Sequence, residues 1–285
     1  MNRNKDGIKN NLIVVRGGGD IATGTIHRLW SAGFLVLVLE TDHPAAIRRQ
    51  VSVCEAVYEG MAQVEGMRGV RIDRIEETEQ VLSDGDVPIL VDPNAESIRR
   101  LSPSAVVDAI LAKRNLGTDR TMAPLTIGLG PGFTAGVDVD FVVETMRGHN
   151  LGRVIRSGRA LPNTGVPGVI GGYASERVIH AEAAGVIHNI RHIGDVVEQG
   201  EIIAVIDRMA EGYGEELNPA DSCPVKATIP GLIRGLIRDG YPVTKGFKIA
   251  DIDPRKTEYD NVFTISDKAR CIAGSVLEII CAHLL

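Results

Sequence analysis

Two glycine-rich turns are the places where this sequence offers chemistry. The first, Arg16-Gly17-Gly18-Gly19-Asp20-Ile21-Ala22, follows a short aliphatic run and opens a segment with helical apolar spacing. It has the Gly-x-Gly-x-x-Ala form of a dinucleotide fingerprint. In that motif one glycine makes the turn, a second lets backbone N–H groups reach a pyrophosphate, and a small third residue lets helix and strand pack closely. Gly17, Gly19 and Ala22 take those parts with Gly18 between them, and Glu40 ends the next aliphatic run where a ribose-binding carboxylate is expected. Asp20 puts a negative charge into the same turn, so a turn that serves chain reversal alone fits equally well.

The second turn, Gly128-Leu129-Gly130-Pro131-Gly132-Phe133, also ends a strand-like run. Gly130 and Gly132 are its candidate ligand-facing positions, because open α/β sheets bind ligands along the carboxyl ends of their strands. Asp138 and Asp140 follow, ahead of a segment with the pattern of an amphipathic helix. They suit helix N-caps better than magnesium ligands, and no metal site is assigned. The stretch Glu144 to Arg153 gathers Arg147 and His149 in a turn-prone context that suits an anion or acid/base site. Arg48-Arg49 reads as a surface pair, with phosphate balancing as the alternative. Cys54 and Cys223 are the thiols to consider for sulfur or selenium handling, although lone cysteines are usually buried small hydrophobes. No catalytic residue is assigned.

The elements that would position these residues change character along the chain. Leu12–Val15 and Leu35–Leu39 flank a helical segment, Ile21–Ser31, in a βαβ pattern. Further strands are expected at 70–72, 88–91, 105–107 and 125–129, with crossover helices near 75–82 and 95–101. The pattern predicts an α/β fold, a Rossmann-like doubly wound parallel sheet, over residues 1–158. From 159 to 258 short strands alternate with Gly and Pro. Sliding Ala183–Asp207 by 46 residues onto Ile229–Asp253 gives nine identities in 25 positions, where about one or two are expected by chance. The repeat resembles the barrel-sandwich hybrid of biotinyl and lipoyl carrier domains, so a β-rich domain of that kind is predicted. A modifiable lysine at the hairpin tip is missing. Residues 259–285 read as a C-terminal helix packing back.

Composition narrows the function classes. In 285 residues, 37 Asp and Glu outweigh 31 Lys and Arg, for a net charge of -6, and aromatics are only 4%. That balance lacks both the basic excess and the stacking surface of a nucleic-acid binder, so no nucleic-acid partner is expected. No membrane partner is expected either, because no run approaches an apolar span. Four scattered cysteines without CxxC spacing fit reduced thiols and a cytoplasmic location. A small phosphate-bearing ligand or a protein partner is the expectation, and self-association into a homo-oligomer stays open.

Several phrases together resemble one family. They are Val15–Gly24, Val107-Asp108-Ala109-Ile110-Leu111-Ala112-Lys113-Arg114-Asn115, Leu129–Gly136, Glu144-Thr145-Met146-Arg147-Gly148-His149 and Ile252-Asp253-Pro254-Arg255. They are similar to the YqeB-type accessory family of the selenium-dependent molybdenum hydroxylase system. The resemblance implies an accessory or maturation role beside a molybdenum hydroxylase or other maturation proteins. The ligand expected at the glycine turns is NAD(P), another nucleotide, or a molybdopterin-type cofactor. The alternatives are an NAD(P)-dependent oxidoreductase with His149 as acid/base, and a non-catalytic scaffold whose glycine turn is vestigial.

Overall fold

A computed structural model describes residues 12–165, 168–207 and 222–284. The strands are β1 Leu12–Arg16, β2 Leu35–Glu40, β3 Met61–Val64, β4 Met67–Ile72, β5 Val87–Val91, β6 Ala105–Asp108, β7 Leu125–Leu129, β8 Thr134–Ala135, β9 Phe141–Val143, β10 Val154–Ile155, β11 Gly158–Arg159, β12 Val178–His180, β13 Gly185–Asn189, β14 Val196–Val197, β15 Ile202–Asp207, β16 Ser222–Lys226, β17 Gly231–Leu236, β18 Pro242–Val243 and β19 Lys248–Asp253. The α-helices are α1 Asp20–Ser31, α2 Ala56–Glu59, α3 Thr78–Ser83, α4 Ile98–Leu101, α5 Tyr259–Val262 and α6 Asp267–Leu284. Two compact units form. One takes the described residues up to Pro44, Val51–Thr164 and those from Thr264; the other takes Ala45–Gln50 and Gly165–Phe263.

The first unit is built on a nine-stranded sheet ordered β10-β9-β7-β6-β1-β2-β5-β4-β3. β1 is aliphatic up to Arg16 and wholly buried, as a parallel interior strand covered on both faces must be. β6 and β2 flank it in parallel. Both edges turn antiparallel, where β3 pairs with β4 and β10 with β9. One face is covered by α1 and α6, whose buried residues Ala269, Ile272, Ala273, Val276 and Ile280 repeat at helical spacing. The two helices cross closely: a Cβ on Gly24 would stand 2.7 Å from that of Ala269. The opposite face is covered by a smaller cluster that includes Leu82 and Ile98, from the short helices α3 and α4.

This topology corrects the expected fold. A doubly wound sheet is parallel and carries a helix in each crossover, whereas this sheet is mixed. Residues 109–124 between β6 and β7 form no helix. The segment after Asp140 is likewise the buried strand β9, not an amphipathic helix. Phe141, Val142 and Val143 are apolar in succession, and a short apolar run suits a parallel strand beside β7 as well as one turn of helix, so spacing alone misassigned it.

The second unit contains two four-stranded antiparallel sheets, β12-β19-β17-β14 and β16-β15-β13-β18. No strand ladder joins them among the described residues, and this description replaces the expected barrel-sandwich hybrid. Hairpin periodicity specifies strands and turns, but closure depends on long-range pairing that the repeat does not encode. The two copies exchange short strands: β13 pairs with β18 of the second copy, and β17 pairs with β14 of the first. The repeat's shared glycines have a steric cause. A Cβ on Gly185 would lie 2.1 Å from the Asp207 carbonyl oxygen, and one on Gly231 would lie 2.3 Å from that of Asp253. Each glycine therefore matches the aspartate of its own copy.

Candidate functional site

The carboxyl ends of β1, β6 and β7 bring four loops of the first unit together. Gly17, in the left-handed region at φ +94°, packs against the loop after β6, since a Cβ there would lie 3.1 Å from the Ala109 oxygen and the Ile110 backbone. Gly18 packs against Cys54, whose N–H donates to the Gly18 carbonyl at 3.0 Å. A Cβ on Gly132, at φ +119°, would stand 2.8 Å from the Arg114 backbone, and one on Gly130 would meet the Thr145 side chain. Four of the predicted glycines are thus explained by close backbone approach within the protein.

Gly19 is different. It is the N-cap of α1 with extended backbone, φ −67° and ψ −178°, and an added Cβ would meet nothing within 4 Å. Gly19 and Asp20 are partly exposed, whereas Gly17, Gly18 and Ala22 are buried. The solvent-accessible part of this turn therefore lies at the start of α1, where orphan backbone N–H groups and the helix dipole favour an anion.

A cation from the far end of the chain, Lys268, feels the charge of Asp20 in the first turn of α1. Lys268, next to the Ala269 that abuts Gly24, is half-buried and has no hydrogen-bond or ion-pair partner among the described residues. Burial holds its ammonium below the usual lysine range and the Arg147 charge adds to that; Asp20, Glu144 and Asp267 pull the other way. Arg147 forms a two-pronged pair with Asp267, both contacts 2.8 Å. His149 is exposed on the adjoining loop.

The other carboxylates nearby serve the fold. Glu40 accepts the Gly18 N–H at 2.7 Å and the Thr41 N–H at 2.8 Å. Burial pushes its carboxyl up, and those two N–H groups pull it part of the way back. A ribose would have to share oxygens already engaged by backbone. Glu144 accepts from the N–H groups of Thr145, Met146 and Leu161. Asp138 accepts the Thr134 N–H, while Asp140 ties Thr126 and Arg120. Neither aspartate caps a helix, because β9 follows them.

Below the loops lies a network that local sequence reasoning missed. Arg16 and Asp108 are register partners at the ends of β1 and β6, both almost wholly buried, with Nη1 and Oδ2 3.7 Å apart. Arg16 donates to Thr118 Oγ1 at 2.5 Å, and that hydroxyl donates to Asp108 at 2.6 Å. Arg16 also donates to the carbonyls of Pro93 and Leu116. Burial raises the Asp108 carboxyl, against the pull of Thr118 and Arg16. The chain reverses its direction of winding between β1 and β6, and the crevice such a reversal leaves is filled here by side chains. The sequence signal was opposite charges closing two buried aliphatic strands.

Cys54 is buried, and burial, helped by Glu40, Glu55 and Asp20, pushes its thiol well up, so it stays protonated and unreactive. Arg48 and Arg49 are not a surface phosphate pair: Arg48 is buried and donates to the carbonyls of Asn261 and Val262, and Arg49 donates to that of Leu236. Both anchor the segment Ala45–Gln50 within the antiparallel unit.

The fold and this edge define an α/β protein with a glycine turn at the carboxyl edge of a mixed sheet, and a second, antiparallel β unit. No protein-family model matches the chain. It is 48% identical over 268 residues to the uncharacterized protein YqeB of Escherichia coli K12, a match covering 94% of this chain and 47% of that protein. That similarity supports a YqeB-type family, and the chain spans about half the length of the curated relative it matches. Among solved structures, similarity extends to the product-bound ectoine utilization protein EutE (DoeB) of Ruegeria pomeroyi, at 13% identity and TM-score 0.27 over 85% of both chains. A succinylglutamate desuccinylase/aspartoacylase of Rhodobacter sphaeroides matches at 14% identity and TM-score 0.28 over 85% of both chains. Scores this low do not establish a shared fold.

Proposed function

We propose that this chain binds a phosphate-bearing cofactor, a nucleotide or a molybdopterin-type pterin, at the open N-terminus of α1. In the same reading it acts as an accessory protein in the maturation of selenium-dependent molybdenum hydroxylases. The observation that carries the binding site is the contrast among the glycines: Gly17, Gly18, Gly130 and Gly132 are filled by neighbouring chain, while Gly19 stands open next to Asp20, whose charge acts on Lys268. A phosphate there would accept N–H groups of the first turn and neutralise an ammonium that burial otherwise disfavours. The accessory role rests on the sequence resemblance, and its partner is a molybdenum hydroxylase or another maturation protein. Catalysis is not part of the proposal. The oxidoreductase alternative loses support because backbone N–H groups occupy Glu40 and His149 stands exposed.

The test is a thermal-shift titration with NAD(H), NADP(H), purine and cytidine nucleotides and molybdopterin extracts, using wild type, Gly19→Asp and Lys268→Met. Stabilisation by one ligand that both substitutions remove is the expected result. If none of these ligands shifts the transition, the site assignment fails.

A further inference from the structure

In the antiparallel unit the two copies of the repeat differ where charge is buried, so the first copy serves as a control for the second. In the first, β13 and β15 pair without interruption, and His188 lies opposite Val205. In the second, Asp251 stands at the place of Val205 and Arg234 at that of His188. There the ladder slips: Ile233 pairs with Ile252 and Gly235 with Asp251, so Arg234 is an extra residue on β17. A bulge of this kind re-aims a side chain. Arg234 Nη1 donates to Asp251 Oδ2 at 3.1 Å, and Arg177, just before β12, donates to Oδ1 at 2.8 Å. Asp251 and Arg177 are each only 5% exposed.

One buried carboxylate thus serves two guanidiniums, and Arg177 Nε is buried with no acceptor among the described residues. Such a cluster is weak support for a fold, since apolar residues of similar volume often do as well or better. The first copy holds Val205 at the matching place. Asp253, whose charge Arg234 also feels, is already matched: Arg255 grips both its oxygens through Nε and Nη2, at 3.0 and 2.8 Å. The same Nε–Nη2 edge of Arg234 makes no hydrogen bond among the described residues, and neither atom is sealed from solvent. We infer that this free edge of Arg234, fixed in place by Asp251, is a binding site for the carboxylate of a small molecule. A carboxylate meets a guanidinium edge with two parallel hydrogen bonds, as Asp253 meets Arg255, and it supplies the negative charge that the Arg177–Asp251–Arg234 cluster lacks. The site is independent of the one at the start of α1.

The test is differential scanning fluorimetry of the full chain in sodium acetate, in sodium phosphate and in sodium chloride at matched ionic strength. Each gain in Tm is read against the same protein in chloride, which removes any effect of the substitution on the apo fold. Two charge-assisted hydrogen bonds set a Kd on the order of 10 mM, so wild type is expected to gain roughly 3–5 °C in about 100 mM acetate. Arg234→Gln loses that gain. Arg234→Lys keeps the charge, removes the fork and loses most of the gain, and it guards against a folding defect in the glutamine variant. No gain over chloride in wild type, or the same gain in wild type and both variants, would overturn the site. An Arg234-dependent gain that is larger in phosphate than in acetate at equal concentration would overturn the carboxylate class.

Discussion

Gly19→Asp separates ligand binding from folding because the two effects have opposite signs. The N-cap backbone of Gly19 is extended and its surroundings are open, so a side chain enters without strain. No side chain caps α1 in the wild type. An aspartate would cap an N–H of the first turn and meet the positive end of the helix dipole, a gain of a few tenths to about 1 kcal/mol. Repulsion from Asp20 offsets part of it. For a protein of this size about 1 kcal/mol moves Tm by roughly 2–4 °C, so the apo variant should melt at or slightly above the wild-type temperature. A ligand at about one hundred times its Kd stabilises wild type by roughly 2.7 kcal/mol, and the variant should lose all of that gain. The assay is differential scanning fluorimetry of both proteins with and without ligand. An undiminished ligand shift in Gly19→Asp, or an apo Tm lowered by several degrees, would refute the reasoning.

Other substitutions test the supports of the site. Gly24→Ala forces apart the crossing of α1 and α6 and should cost about 1–3 kcal/mol in urea unfolding; a neutral result would mean the crossing is not close. Asp108→Ala leaves the Arg16 guanidinium buried without its carboxylate and should cost roughly 3–5 kcal/mol by the same measurement. Lys268 has a folded pKa below its unfolded value, so the unfolded chain binds more protons and this residue makes stability rise with pH, in the window just below 10.5. Lys268→Met should remove that rise, seen as a flatter stability profile between neutral and alkaline pH, and should lose anion binding at neutral pH. Parallel profiles for the two proteins would show that Lys268 is not buried as described.

Local physics made much of the chain legible from its sequence. Continuous aliphatic runs such as Leu12–Val15 and Leu35–Leu39, flanking a helical segment, fit a buried parallel sheet, and they became β1 and β2. The glycine turn opening α1 was readable because turn chemistry and helix starts depend on neighbours in sequence. The 46-residue repeat was readable for the same reason, since each copy needs its own glycine facing its own aspartate. Tertiary structure alone decided whether Phe141–Val143 became helix or strand, whether the sheet edges ran antiparallel, and whether the two repeats closed into a single barrel. It also decided which charges face solvent. Glu40 is turned inward to the Gly18 N–H, Cys54 is buried within reach of the charges of Glu40, Glu55 and Asp20, Arg16 meets Asp108 across two strands, and Lys268 is half-buried and feels the charge of Asp20. Periodicity and turn preference are properties of neighbouring residues, whereas burial and the pairing of charges depend on strand register and helix crossing, which join residues far apart in the chain.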